Sequence, residues 1–320
     1  PVTTSIEGKS AFPEDHPLSL GSGGRANPRP VKRFLAEADV ILGIGCSFAL
    51  TAYGVGMPPG KTIIHATLDP RDLNKEVGVQ HALIGDAKLT LIALVQAMAS
   101  LDRSRAAARK DVPARIAELR DAWQGEWAVR TRSDSTPINP YRVITELDAA
   151  VDKRKTIVTH DAGSPRDQMT PFWTATAPLS YLGWGKTTQL GYGLGLAMGA
   201  KLAKPDHLCV NVWGDAAIGF TGMDLETAAR ERIPILSILL NNFSMAIEIP
   251  IMPVSQAKYG STDITGHYAD MATSFGCYGE RITDPAEIAG ALLRGIEATR
   301  AGRPALLEFI TSKETEISNE

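Results

Sequence analysis

The chain has 320 residues, which is long enough for two domains that each bury their own core. Its 33 basic and 36 acidic residues give a formal net charge of −3, so the composition offers no electrostatic case for nucleic-acid binding. No apolar run approaches the roughly 18 residues that span a bilayer, and no secretory signal is visible, so the pattern argues against a membrane protein.

The three cysteines, Cys46, Cys209 and Cys277, are scattered along the chain. An odd, unclustered set is typical of buried thiols in a reducing compartment, and it predicts a cytoplasmic location. The sequence opens on the strand-like stretch PVTTSI without an initiator Met. This favours a fragment or a processed piece of a longer polypeptide.

Short β-branched runs alternate with helical patterns from one end of the chain to the other. The predicted strands are continuously apolar, as parallel strands buried on both faces are, and they cover residues 39–44, 62–68, 156–160, 208–213, 234–240 and 305–310. The predicted helices cover residues 89–98, 141–151, 190–202, 222–232 and 284–299. The alternation predicts an α/β fold with two Rossmann-like parallel-sheet domains, helices lying on both faces of each sheet. We place the domains at 1–100 and 138–320, joined by a charged helical linker at 101–137.

The first predicted domain contains a pattern that imitates a dinucleotide-binding fingerprint. Gly43 and Gly45 end one strand in VILGIGCSFA, and Asp69 ends the next strand. Phe48 stands where the fingerprint has its third glycine, and a phenylalanine there obstructs close packing of helix on strand. An oxidoreductase that binds NAD or FAD is the alternative function that this pattern leaves open.

Polar side chains follow two successive strands of the second predicted domain. Gly214 and Asp215 come directly after the strand at 208–213, and Asn241 and Asn242 follow the strand at 234–240. Neighbouring parallel strands bring their carboxyl ends to one edge of a sheet, so we expect the carboxylate and the carboxamide to lie close together. Such hard oxygens suit Mg²⁺, which shares its coordination shell with substrate phosphates. Gly214 and free N–H groups beyond it can also cradle a phosphate, so the pair predicts a metal–diphosphate site.

This motif resembles that of the thiamine-diphosphate (ThDP) enzymes of the acetolactate synthase and 2-oxoacid decarboxylase group. Their motif is Gly-Asp-Gly, some two dozen residues and then Asn-Asn, and here Ala216 replaces the last glycine. The resemblance implies that Mg²⁺ is bound by Asp215, the side chain of Asn242 and the carbonyl of Ser244. It further implies that the diphosphate is held by main-chain N–H groups around Ala216, Ala217, Met245 and Ala246.

The resemblance extends to the segments on either side of this motif. The stretch YLGWGKTTQLGYGLGLAMGAKLAKP resembles the family segment that props the cofactor in a bent shape, which implies that Thr188 and Leu190 contact the aminopyrimidine. The loop THDAGSPRDQM makes His160, Asp161 and Gln168 weak candidates for catalysis, with loop and helix capping as the alternative. Residues 8–21 and 38–70 resemble the family's middle domain, which in relatives binds FAD, ADP or nothing.

The resemblance implies an enzyme subunit that makes or breaks a C–C bond beside a carbonyl in a 2-oxoacid or 2-hydroxyacyl substrate, as a lyase, decarboxylase or carboligase. In that family an N-terminal pyrimidine-binding domain supplies the activating glutamate, and no such domain is visible here. We therefore expect a second chain to carry that domain and its glutamate, in a dimer or tetramer of such pairs. A non-catalytic regulatory subunit that keeps the ThDP fold is the remaining alternative.

Overall fold

The computed structural model describes residues 1–101, 111–185 and 189–319 of the chain. Thr188 and residues 102–110 of the predicted linker lie outside the described residues. The fold is α/β with parallel sheets, as the alternating pattern predicts. Among the described residues, no helix combines the length and the apolar character that crossing a membrane requires.

The N-terminal region, residues 1–98, contains two small parallel sheets. The first pairs β1 (Val2–Ser5) with β2 (Ser19–Gly23), and the second has β3 (Val40–Ile44), β4 (Thr62–Thr67) and β5 (His81–Ile84) in that order. Helix α1 (Arg29–Glu37) lies between the sheets in sequence, and α2 (Ala87–Met98) follows β5. The sequence predicts that β3 is buried on both faces, but Val40 and Leu42 are exposed. Helix α2 likewise buries none of its side chains.

Helix α3 (Val112–Thr131) forms the described part of the predicted linker, and it packs through aromatic side chains. Trp123 and Trp127 are buried, and both rings lie close to Phe172, with centroids 4.8 and 5.2 Å away. Tyr141 completes this cluster at 4.8 Å from Phe172. The aromatic contacts fasten the linker helix to the C-terminal region, which comprises residues 138–319.

The C-terminal region is built on one six-stranded parallel sheet. Its strands are β6 (Thr156–His160), β7 (Tyr181–Leu182), β8 (Leu208–Gly214), β9 (Leu236–Asn241), β10 (Tyr278–Ile282) and β11 (Ala305–Ile310), in the spatial order β10-β11-β9-β8-β6-β7. Its helices are α4 (Pro140–Ala150), α5 (Ser164–Phe172), α6 (Tyr192–Ala203), α7 (Asp215–Thr221), α8 (Asp224–Arg230), α9 (Pro253–Tyr259), α10 (Tyr268–Ser274) and α11 (Ile288–Arg300). Because every pair is parallel, all six carboxyl ends meet at one edge, which we call the carboxyl rim.

The sheet is covered on both faces, since successive side chains of a strand point to opposite sides. In β9, Leu236, Ile238 and Leu240 enter the core cluster shared with α4 and α11. Leu239 enters the opposite cluster, which is shared with α6 and α8. Continuous apolar runs are therefore required here, as the sequence predicts.

The C-terminal segment, residues 312–319, runs back to the N-terminal region. The Ser318 hydroxyl donates to the Asn27 carbonyl at 2.7 Å and accepts from the Trp123 indole N–H at 2.8 Å. The Asn27 N–H in turn donates to the Ser318 carbonyl at 2.8 Å. This segment therefore joins both regions and the linker helix at one place.

All six predicted strands are present, and β6 and β11 have the predicted limits. The short strands β2, β5, β7 and β10 were not predicted. The helix predicted at 222–232 is present as the shorter α8, whereas α7, which begins directly at Asp215 and is separated from α8 by a break at Gly222, was not predicted. A Cβ on Gly222 would lie 2.5 Å from the Ile218 carbonyl oxygen, so a side chain does not fit where the helix breaks.

Candidate functional site

The strand order creates a crevice between β6 and β8 at the carboxyl rim. Strand β6 pairs with β7 on one side and with β8 on the other. The chain continues from β6 outward to β7 and from β8 in the opposite direction to β9. Ligands of open α/β sheets bind at such a switch point, outside the carboxyl ends of the strands. Loops after β6, β8 and β9 line this part of the rim.

Asp215 lies directly after β8 and is 3% exposed. Its Oδ1 accepts from the Ala216 N–H at 2.9 Å, and its Oδ2 accepts from the N–H groups of Asn242 and Ser244 at 3.1 and 3.0 Å. Burial raises the pKa of this carboxyl above its usual range, and the N–H donors oppose that shift. The structure thus brings together the three residues that the resemblance implies as metal ligands.

Asn242 presents a side-chain oxygen that is prepared for a partner from outside. Its Oδ1 atom is buried and accepts no hydrogen bond from the described residues. Buried polar atoms are almost always paired, so this acceptor beside a buried carboxylate is available to a ligand. Ser244 is buried beside it, with its hydroxyl 3.5 Å from that of Thr262.

The residues implied as diphosphate ligands surround the same turn. Gly214 ends β8. Ala217 and Ala246 are buried in the segments that contain Asp215 and Asn242. The N–H of Met245 donates to the Thr262 carbonyl at 2.8 Å, and that of Ala216 donates to Asp215. Of these four residues, Ala217 and Ala246 are therefore the ones whose N–H groups we expect to reach an anion.

Asp161 caps the helix that leads into β8. Its Oδ1 accepts from the N–H groups of Ala162 and Gly191 at 2.8 and 2.9 Å, and its Oδ2 accepts from Gly193 at 3.0 Å. Gly193 is in the first turn of α6, so the carboxylate satisfies the amino-terminal N–H groups of that helix. In this structure, the contacts of Asp161 are those of a loop and helix cap.

His160 is fully buried at the end of β6. Its Nδ1 lies 3.1 Å from the Asp161 carbonyl and 3.2 Å from the Tyr192 hydroxyl, whereas its Nε2 has no partner among the described residues. Burial lowers the pKa of this imidazole to about 4, so it is neutral at pH 7. A Cβ on Gly183 would lie 1.9 Å from Nε2, so only glycine leaves room for the ring.

The other candidates fall on both sides of the crevice. Gln168 is buried in α5, where its Nε2 lies 3.4 Å from the Glu314 carbonyl in the C-terminal segment, so the structure does not direct it to the Asp215 turn. Leu190 is half-buried against the cluster that holds Leu194 and Ala217. Gly191, with φ +91°, places it there, and the Gly191 carbonyl accepts from the Thr221 hydroxyl at 2.8 Å.

Arg166, which sequence reasoning missed, is a buried cation in the first turn of α5. Its side chain is 1% exposed and pairs with Asp167 through Nε at 2.9 Å. Its guanidinium carbon lies 4.1 Å from the ring centroid of Tyr53, a residue of the N-terminal region. The only sequence signal for this residue is a single arginine after Gly-Ser-Pro. Its burial cannot be predicted from that, because it depends on Tyr53, which lies 113 positions earlier in the sequence.

In the N-terminal region, side chains of the dinucleotide-like segment fill the space beside its own glycine. A Cβ on Gly43 would lie 2.3 Å from the Phe48 ring, and that ring packs edge-to-face on His65 at 4.9 Å. The Asp69 carboxylate accepts from the backbone N–H and the guanidinium of Arg71. Neither contact favours the nucleotide-binding alternative.

Fold and rim define the class of the chain: an α/β protein whose polar groups gather at the switch point of a parallel sheet. Comparison with known proteins gives the family. The description "Thiamine pyrophosphate enzyme, C-terminal TPP binding domain" matches residues 161–309, and "Thiamine pyrophosphate enzyme, central domain" matches residues 1–94. The chain belongs to the thiamine pyrophosphate enzymes.

Curated relatives agree with this assignment along nearly the whole chain. It is 29% identical over 330 residues to the probable acetolactate synthase large subunit of Methanococcus aeolicus, covering 99% of this chain and 54% of that protein. The protein of the same description from Methanocaldococcus jannaschii is 29% identical over 326 residues, covering 97% and 52%. The mitochondrial catalytic subunit of acetolactate synthase from Aspergillus candidus is 29% identical over 343 residues, covering 99% and 47%. The chain spans about half the length of these relatives.

Proposed function

We propose that this chain forms the metal- and diphosphate-binding part of a ThDP- and Mg²⁺-dependent enzyme of the acetolactate synthase type. The proposed reaction makes or breaks a C–C bond beside the carbonyl of a 2-oxoacid or a 2-hydroxyacyl compound. The observation that carries the proposal is the buried, unpaired Oδ1 of Asn242 beside the buried carboxylate of Asp215. We also propose the division into residues 1–100, 101–137 and 138–320.

The donor set fits the proposed groups. Asp215, the Asn242 amide and the Ser244 carbonyl offer hard oxygens, which Mg²⁺ prefers, and a diphosphate would supply further oxygens. The N–H groups of Ala217 and Ala246 belong to the two segments, after β8 and after β9, that meet at Asp215, where they can hold anionic oxygens. When bound, ThDP supplies a nucleophilic carbon that adds to a carbonyl, and the protein supplies orientation and electrostatics.

The residues of this chain then bind and orient. Asp215 and Asn242 fix one end of the cofactor to the rigid sheet, since each follows a strand whose interior residues are buried. Leu190 supports its middle part through the cluster that holds Ala217. His160, Asp161 and Gln168 stay predictions as substrate or catalytic contacts, and we assign the activating step to a glutamate outside these 320 residues.

Apolar side chains around the rim support a site that is completed by residues from outside this sequence. Phe220 follows β8, and Ile251 and Tyr259 follow β9; they are 70, 71 and 81% exposed, so these segments offer apolar surface for a partner to bury. We propose that a polypeptide segment carrying the pyrimidine-binding domain covers them, on a second chain in a hetero-oligomer. Intact mass and co-purification from the native source test this, and an active species of this chain alone would contradict it.

Two further parts of the proposal concern the N-terminal region and the compartment. FAD or ADP in the N-terminal region stays a prediction, which the contact of Phe48 with Gly43 does not favour. The free thiols Cys46, Cys209 and Cys277 support the proposed cytoplasmic location.

The proposal is tested by calorimetric binding of ThDP in the presence and absence of Mg²⁺. Asn242→Ala removes an acceptor that has no partner in the part of the chain that the structure describes, so we expect the thermal midpoint to change little while Mg²⁺-dependent binding falls at least about tenfold. Asp215→Ala should abolish that binding, and Asp224→Ala, an exposed acid in α8, should leave it unchanged.

Mg²⁺-independent binding, or equal binding by the Asn242 and Asp224 variants, would contradict the metal site. A complex that keeps full activity with Asp215→Ala would support the regulatory alternative instead.

A further inference from the structure

The guanidinium of Arg166 has one edge engaged and one edge unpaired. Nε and Nη2 donate to the two Asp167 carboxylate oxygens at 2.9 and 3.3 Å. Nη1 is buried and has no partner among the described residues. A guanidinium can serve two carboxylates, one on each edge, so the pair with Asp167 leaves Nη1 free for a second acceptor. Because an unpaired buried N–H is destabilising, this atom marks a place for a ligand oxygen.

The unpaired edge belongs to the first turn of a helix that opens on the crevice. Helix α5 has nine residues, and its N-cap, Gly163, provides no capping side chain. Helical side chains lean toward the N-terminus of their helix, so the arginine adds its charge to that of the free N–H groups there. The amino end of α5 follows β6, one of the two strands at the switch point.

Close contacts tie this turn to the proposed metal site. A Cβ on Gly214 would have Pro165 Cγ as its nearest neighbour, at 3.9 Å, and a Cβ on Gly163 would lie 3.7 Å from Ile247 Cδ1. Pro165 precedes Arg166, and Gly214 precedes Asp215. The turn that carries the arginine therefore lies next to the turn that carries the proposed metal ligands.

The N-terminal region orients the arginine from the opposite side. The ring of Tyr53 lies against the guanidinium at 4.1 Å, a contact that favours a cation and fixes the plane of the fork. Small-molecule sites are frequent between two packed regions of a chain. Lys9, a buried cation of the N-terminal region, is already paired with Glu14 at 2.5 Å.

We infer that Arg166 recognises the carboxylate of the substrate and sets the preference for acids over neutral carbonyl compounds. This inference rests on the proposed function, in which the substrate is a 2-oxoacid. A planar carboxylate can pair with the Nη1 edge, whereas an ester or an amide lacks the charge that offsets burial of the guanidinium. The diphosphate of the cofactor carries the same kind of anionic oxygen, and the experiment separates the two sources.

The test uses the complete enzyme, isolated with the chain that accompanies it and loaded with ThDP and Mg²⁺. Calorimetry measures the Kd of oxamate, an unreactive analogue of a 2-oxoacid, and of its neutral ethyl ester. In Arg166→Met we expect the oxamate Kd to rise about 10- to 100-fold, with the ester Kd and the ThDP Kd changed less than about threefold. The ratio of kcat/KM for pyruvate to that for methyl pyruvate should fall by the same factor.

Two variants serve as controls. Arg115→Met removes an arginine that also lies over an aromatic ring and pairs with an acid, but its partners Phe34 and Glu37 belong to the N-terminal region, and it should leave the ratio unchanged. Arg166→Lys keeps the charge without the planar fork, so its ratio should fall at least about threefold even if Arg166→Met fails to fold.

Several results would overturn the inference. Wild-type enzyme that binds ThDP but not oxamate, or variants that weaken oxamate and ester equally, would exclude carboxylate recognition by Arg166. A rise in the ThDP Kd with an unchanged acid-to-ester ratio would assign Arg166 to the diphosphate. Wild-type enzyme that fails to bind ThDP at all refutes the proposed function itself, and the Arg166 inference falls with it.

Discussion

At the residue scale, burial decides how the rim groups ionise. His160 is enclosed by Gly183, Tyr181 and Tyr192, and the imidazole gains no charged partner that would favour its protonated form. Its pKa therefore falls to about 4, while burial raises the pKa of the carboxyls of Asp148, Asp161 and Asp215. These shifts act on stability in opposite directions, so the contribution of His160 has to be isolated by a variant.

We predict that His160 makes the fold less stable as the pH falls from 6.5 to 4. In that window the unfolded chain binds a proton at this histidine and the folded chain does not, so the free energy of unfolding decreases by up to about 3 kcal/mol. Urea unfolding at several pH values should show a shallower decline for His160→Gln than for wild type. His16→Gln, at an exposed histidine, serves as the control, and parallel curves for all three proteins would contradict the prediction.

At the element scale, the glycines of α6 differ in what surrounds them. Gly193 lies where the helix approaches β6 and β8, and a Cβ there would be 2.4 Å from Asn211 Oδ1 and 3.0 Å from the His160 carbonyl oxygen. Gly195 has open space around its Cα, with no atom within 4 Å of an added Cβ. The same residue type therefore serves close packing at one position and only lowers helix propensity at the other.

Gly193→Ala and Gly195→Ala should consequently change stability in opposite directions. The first forces the helix away from the sheet and should lower the free energy of unfolding by about 1–3 kcal/mol. The second should raise it by about 0.5–1 kcal/mol, since alanine loses less backbone entropy in a helix. Urea unfolding of the two variants checks this, and a loss of stability in both would show that Gly195 is also packed.

The strand ends, and with them most of the site, could be predicted from the sequence for physical reasons. Asp215 and Asn242 each follow a mainly apolar run, interrupted by Asn211 in the first and by Ser237 in the second, and parallel pairing of adjacent runs suffices to bring them together. The two-residue strand β7 carries no pattern of its own, because its pairing with β6 alone defines it. Arg166 could not be distinguished from a surface arginine, since its enclosure depends on Tyr53 in another part of the chain.

At the scale of the whole molecule, a buried ion pair of the N-terminal region lies where that region contacts the C-terminal region. Lys9 and Glu14 pair at 2.5 Å, with side chains 1 and 9% exposed. The Glu14 carboxylate also accepts from the Ala175 N–H at 2.8 Å and from the Ser22 hydroxyl at 2.7 Å. Burial lowers the pKa of Lys9, and the neighbouring carboxylate opposes that shift.

Glu14→Ala should loosen this junction, because it leaves a buried ammonium without its partner. We expect a loss of about 3–5 kcal/mol, of which the double variant Lys9→Met/Glu14→Leu recovers a large part. All five tryptophans lie outside residues 1–98, so fluorescence reports on the linker and the C-terminal region, whereas far-UV circular dichroism reports on the whole chain. The two urea curves should coincide in wild type and separate in Glu14→Ala.

Glu126→Ala removes an exposed partner of Arg29 and should have little effect. Coincident curves for the Glu14 variant would show that other contacts hold the two regions together.

The C-terminal segment has a consequence for the order in which the protein is assembled during translation. The bonds between Asn27 and Ser318 join residues 291 positions apart. At synthesis rates of about 5–20 residues per second, Asn27 leaves the ribosome roughly 15–60 s before Ser318 does. During that interval the surface around Asn27 and Trp123 is not covered by the C-terminal segment. A polypeptide that ends before Ser318 therefore leaves this surface exposed.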